Sequence, residues 1–242
     1  MKRLLAVSVF GTAMGFLEAT VVVYLRELHY PAGFAFPLKS LLSQSLLIES
    51  LREISTILML TTLGIAAGST FAERFSFFLF SFGTWDIFYY VWLKALLDWP
   101  SSVFTWDILF LIPVVWVGPV LAPVICSATM VVLSISILYH VRKGRQVRIK
   151  PSEWLLMGLG ALLIFFTFIR DFSRIIVQGG FLPRLFTLGT DTEFQKVISG
   201  FIPASYNWYL FAAGEILIML ALLLFWARMS TLKVSWSKIS WR

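Results

Sequence analysis

The sequence predicts an all-α, polytopic membrane bundle of about six transmembrane helices, forming a single integral membrane domain over residues 1–242. Three observations predict it. Hydrophobic residues make up 59% of the chain and charged residues only 14%, against about 25% charged in a soluble domain. Apolar runs close to the ~20 residues that cross a bilayer recur along the chain. Lysine and arginine collect in alternate connections, as the positive-inside rule requires.

The first span, about 4–26, follows Lys2 and Arg3 as a signal peptide would. Its length, the embedded Glu18 and the lack of an A-x-A site mark it instead as a retained helix. Gly11 and Gly15 form a small-residue ridge leading to that carboxylate. The second span, 46–69, opens on Glu49, Arg52 and Glu53, which share one helical face at i, i+3 and i+4. In the third, 75–97, Asp86, Tyr90 and Lys94 stack at successive i+4 steps.

Residues 107–118 begin at Asp107, contain Pro113 and are too short to cross unaided, so they read as a re-entrant or interfacial segment. The fourth span covers 119–141. The fifth, 153–178, carries the polar stripe Thr167, Arg170, Asp171 and Arg174; the sixth, 207–228, buries Glu215.

Orientation follows from Arg142, Lys143, Arg145, Arg148 and Lys150 after the fourth span, and Arg228, Lys233, Lys238 and Arg242 after the sixth. With Lys2 and Arg3 these face the cytoplasm in an N-in, C-in arrangement in the plasma (inner) membrane. The outer connections hold only Arg26, Lys39, Arg184 and Lys196. The net charge of +7 is thereby explained by topology, and no nucleic-acid partner is expected.

Oriented this way, Glu18, Glu49, Arg52, Glu53, Asp86, Arg170, Asp171 and Glu215 all fall in the outer half of the membrane. Each ionisable group at mid-helix costs roughly 2.5–3.5 kcal/mol on insertion scales and nearly always faces the bundle interior. Unrelated structural ion pairs would scatter between leaflets. Ion pairing remains the alternative for single pairs: Arg52 between Glu49 and Glu53, Asp171 with Arg174, Asp86 with Lys94. Carboxylates nevertheless outnumber the cations Arg52, Lys94, Arg170 and Arg174, and closely grouped carboxylates suit proton transfer.

Several chemistries are excluded or disfavoured. A single cysteine, Cys126, rules out a disulfide framework or a thiolate cluster and reads as a packing residue. His29 and His140 are too few for a bis-haem site, and H-E-x-x-H is absent. No cofactor is evident, no metal site is assigned, and only a hard divalent cation such as Mg²⁺ or Ca²⁺ stays open.

The leading functional expectation is a membrane-embedded enzyme acting on a lipid or other hydrophobic anionic substrate from the outer side. Glu49, Glu53 or Asp86 would serve as acid or base, Arg52, Arg170, Arg174, Lys94 and Tyr90 would bind substrate, and Glu18, Asp107, Asp171 and Glu215 would support the site. The alternatives are a proton-coupled transporter or channel for a small anion, and an accessory subunit of a larger membrane complex. Expected partners are membrane lipids, with a membrane-protein partner or a second copy of the chain also open.

Overall fold

The computed structural model describes residues 2–30, 33–34, 36–37, 43–188 and 191–231. Lys39, Lys233, Lys238 and Arg242, used above for orientation, lie outside them. Six long helices stand where the apolar runs place them: α1 (Lys2–His29), α2 (Ser43–Ala67), α3 (Phe71–Leu97), α4 (Leu121–Arg142), α5 (Pro151–Gln178) and α7 (Trp208–Thr231). Four of these, α1, α4, α5 and α7, are both long and apolar enough to cross a membrane. A short helix, α6 (Thr192–Ile198), precedes α7.

Local chemistry sets the helix boundaries. At the start of α3 the Thr70 hydroxyl accepts from the Glu73 N–H at 3.3 Å, and the Glu73 carboxylate accepts from the Ser69 N–H at 2.6 Å, so two otherwise orphaned donors are satisfied. Asp98 ends the helix in the left-handed region at φ 52°. Pro151 opens α5, where a missing N–H costs nothing. Asn207 caps α7 by accepting from the Leu210 N–H at 3.1 Å.

Residues 107–118 correct the all-α expectation locally. They form most of an antiparallel hairpin, β1 (Trp106–Phe110) and β2 (Trp116–Pro119), pairing Asp107 with Gly118 and Ile108 with Val117. Aromatic and β-branched residues favour extended backbone here, and Pro113 sits in the connecting turn. The stretch is short enough that its apolar character does not reveal its secondary structure.

The helices sort into two groups. α3 packs against α1, α2 and α4, while α5 packs against α7. The hairpin leans on α5 and α4, and α4 touches α7. Over the hairpin lies an apolar cap in which Val117 meets Phe172 and Ile176 of α5, Phe181, and Phe194 and Ile198 of α6. At the opposite end Arg228 of α7 grips Glu153 of α5, with both contacts at 2.9 Å.

Glycine permits the closest crossings. A Cβ on Gly15 would stand 2.9 Å from the Trp85 carbonyl oxygen of α3, so the ridge read on α1 does face a neighbouring helix. A Cβ on Gly214 would stand 2.8 Å from the Gly160 carbonyl oxygen of α5. Gly214→Leu should therefore force α5 and α7 apart and lose about 1–3 kcal/mol or more. Gly158→Ala, where an added Cβ meets nothing within 4 Å, should not. Thermal unfolding of both variants in detergent checks the contrast.

Candidate functional site

Between the two helix groups and beneath the hairpin lies a cavity of about 870 Å³. Of the residues expected to form a site, Glu18, Glu49, Arg52, Glu53, Asp86, Tyr90, Asp107 and Glu215 all line it.

The arginine on α2 joins two helices. Arg52 donates from Nη1 to Glu18 of α1, and from Nη2 and Nε to Glu49 one turn back, the Nε contact measuring 2.9 Å. Glu18 also accepts from the Thr56 hydroxyl at 3.5 Å. The expected Glu49–Arg52–Glu53 triad is therefore replaced by Glu18–Arg52–Glu49. Glu53 turns away, is 6% exposed, and accepts the Leu111 N–H at 3.0 and 2.9 Å through its two oxygens. That contact gives a half-buried hairpin-turn amide a side-chain partner.

Asp86 of α3 accepts from the Ser127 hydroxyl of α4 at 2.7 Å, and Glu215 of α7 accepts from the Thr129 hydroxyl at 2.8 Å. Asp107 at the start of the hairpin is 3% exposed. It accepts from the Tyr90 hydroxyl at 3.3 Å and pairs with Arg26 at 3.5 Å. The Arg26 guanidinium also lies 3.8 Å from the Trp99 ring centre and 4.7 Å from that of Phe34, a cation–π environment.

Four expected members are not brought in. Lys94 is directed to the end of α3, where it pairs with Asp98 at 2.7 Å and donates to the Asp98 and Pro100 carbonyls. This ammonium satisfies the helix C-terminus and holds the Asp98 carboxyl below its usual range. Arg170, Asp171 and Arg174 do not line the cavity, and Arg174 is exposed. The reason is helical phase. Phe168, Phe172 and Ile176 are buried, and the arginines stand two residues, about 200°, from that stripe. Among the described residues the Asp171–Arg174 and Asp86–Lys94 pairs do not form.

Sequence reasoning missed Arg26, which it counted as an outer-loop charge. Its i+8 spacing from Glu18, with Val22 between, places all three on one α1 face and is the signal that was available. Ser127, Thr129 and Trp85 carried no such signal, since hydroxyls and indoles are ordinary in spans. Among the described residues, no three His, Cys, Asp or Glu side chains are grouped to hold a metal ion. No family model, curated protein or solved structure matches the chain, so the chemistry rests on these contacts.

The Glu53–Leu111 contact is testable on its own. Glu53→Gln keeps an oxygen acceptor for the hairpin amide, whereas Glu53→Leu strands it and should lose about 1–3 kcal/mol. Amide hydrogen exchange over 106–119 should accelerate in the leucine variant and change little in the glutamine variant.

Proposed function

We propose that the chain is an inner-membrane protein of six spans, with α2 and α3 also crossing, both termini cytoplasmic and the hairpin re-entrant from the outer face. Within it we propose a membrane-embedded enzyme that acts on a lipid-like amphiphile. The observation that carries this reading is the division of this large cavity. Its hairpin end holds Glu49, Arg52, Glu53 and Asp107, Asp86 and Glu215 sit further in, and its far end is walled by Phe75, Leu79, Leu133 and Met157.

The dimensions agree. Asp86 to Phe75, both lining the cavity, spans eleven residues of α3, about 16 Å at 1.5 Å per residue. That is close to half of the ~30 Å hydrocarbon core. Gly158, Ala161 and Leu162 line the cavity while being exposed on α5, which supports lateral access from the bilayer.

In this reading Asp86 is the acid or base, because its partner is the neutral Ser127 hydroxyl and its charge is free to change with a proton. Glu49 is committed to Arg52, and Glu53 positions the hairpin. Transport is less well supported. At the inner end of the cavity, where a carrier would need a second opening, Trp154 packs at a tilt against Phe71 and Phe75, with ring centres at 6.2 and 5.0 Å.

Delipidated protein exposed to a membrane-lipid extract should retain an amphiphile detectable by native mass spectrometry. Gly158→Phe, which adds a ring on the cavity wall where space is open, should reduce retention about tenfold, near 1.4 kcal/mol, without altering the melting temperature. Asp86→Asn should retain the species and abolish its conversion. A parent protein that holds no amphiphile from any extract would defeat the reading.

A further inference from the structure

The far end of the cavity is a floor. Leu79, Leu133 and Met157 line it, and they belong to a packed core that continues past it through Ile137, Ala221 and Met229, each at most 1% exposed and none lining the cavity. The sideways exit at that depth is bridged as well. Trp154 of α5 reaches Phe75 of α3, with ring centres 5.0 Å apart, across a pair of helices that otherwise share little contact.

From that floor the two walls carry matching stripes. Phe75, Leu79, Phe82 and Asp86 of α3 follow one another at i, i+4, i+7 and i+11, and so do Trp154, Gly158, Ala161 and Phe165 of α5. All eight line the cavity, and the spacing keeps each set on one helix face. Each stripe is therefore about 16 Å long at 1.5 Å per residue. At its outer end Phe165 meets Trp116 of the hairpin at 4.8 Å. Between the two aromatic contacts Gly158 and Ala161 are exposed, which leaves a sideways window of the same height. Inward of Asp86 the one charged lining residue among those described is Glu215, which accepts from the Thr129 hydroxyl at 2.8 Å.

We infer that these stripes act as a ruler, selecting an amphiphile whose hydrocarbon chain has about thirteen carbons, with its head at the level of Asp86 and its tip on the Phe75–Trp154 floor. The inference rests on the lipid-like reading above and adds the chain length to it. An extended chain advances about 1.25 Å per carbon, from a C–C bond of about 1.52 Å and an angle near 111°. A shorter chain leaves apolar wall without a partner. A longer one must fold back or leave through the window, because the core behind the floor is already close-packed. Trp154 and Phe75 are thus specificity-determining residues.

A series with one head and varied chains tests the ruler: octane-, decane-, dodecane-, tetradecane-, hexadecane- and octadecane-1,2-diol. They are offered together to the full-length protein in nanodiscs, and occupancy is read by native mass spectrometry relative to the amount of each diol in the bilayer. The dodecane and tetradecane diols should occupy the parent about tenfold more than the hexadecane and octadecane diols. Gly158→Phe places a ring one turn outward of Trp154, about 6 Å, and should move the optimum towards octane-1,2-diol. Trp154→Ala removes the bridge and should admit the two longest chains. Opposite shifts of the optimum are not produced by a general loss of fold. Occupancy by the parent that is flat, or that rises through octadecane-1,2-diol, would overturn the ruler while leaving an amphiphile site. Binding of no diol at any length would overturn the amphiphile reading itself. The ranking on the parent decides even if a variant folds poorly.

Discussion

A partly buried guanidinium carried on one helix and shared with a carboxylate on another constrains everything around it. Arg52 holds Glu18 of α1 and Glu49 of its own helix, and α1 and α2 otherwise touch little, since each packs chiefly on α3. The tie between them is therefore largely electrostatic. Removing one member of a buried charge group leaves the others uncompensated, which is costlier than the net worth of the pair. With Arg52 fixed, the next residue along the helix, Glu53, is free to reach the hairpin turn. The ion triad and the roof of the cavity are thus set by adjacent side chains of α2.

In the proposed re-entrant position the hairpin depends on protein partners, because irregular backbone at membrane depth survives only where protein satisfies it. Here its two strands satisfy each other, Glu53 takes the Leu111 N–H, and the Trp116 indole donates to the Ile112 carbonyl at 2.8 Å. Phe172, Ile176 and the α6 side chains cover its outer surface. The hairpin in turn holds apart two helix groups that meet mainly through α4 and α7, and the space so preserved is the cavity. Fold and site share the same contacts, so a change at Glu53 or Arg52 is expected to be felt in both.

The long helices were legible because membrane spans announce themselves by length and apolarity, and their ends by caps such as Thr70–Glu73. The acids that line the cavity could be grouped in advance because charge asymmetry suggests an orientation, and an orientation assigns each residue an expected depth. What depth does not supply is rotation about each helix axis. Arg170 and Arg174 share the expected level yet stand outside the cavity, because the apolar stripe Phe168–Phe172–Ile176 takes the buried side. Lys94 is drawn to the exposed C-terminus of α3. The hairpin was opaque as a strand pair, and with it the partners of Glu53 and Asp107, since both contacts depend on where Leu111 and Arg26 arrive in three dimensions.

The cross-helix triad is best tested by double-mutant cycles on unfolding stability, pairing Arg52→Gln once with Glu18→Gln and once with Glu53→Gln. The structure predicts a coupling of about 1–3 kcal/mol for Arg52 with Glu18, and a value within about 0.5 kcal/mol of zero for Arg52 with Glu53. A larger coupling to Glu53 than to Glu18 would contradict the account, because it would return Arg52 to a pairing confined to its own helix and release both α1 and the hairpin from it.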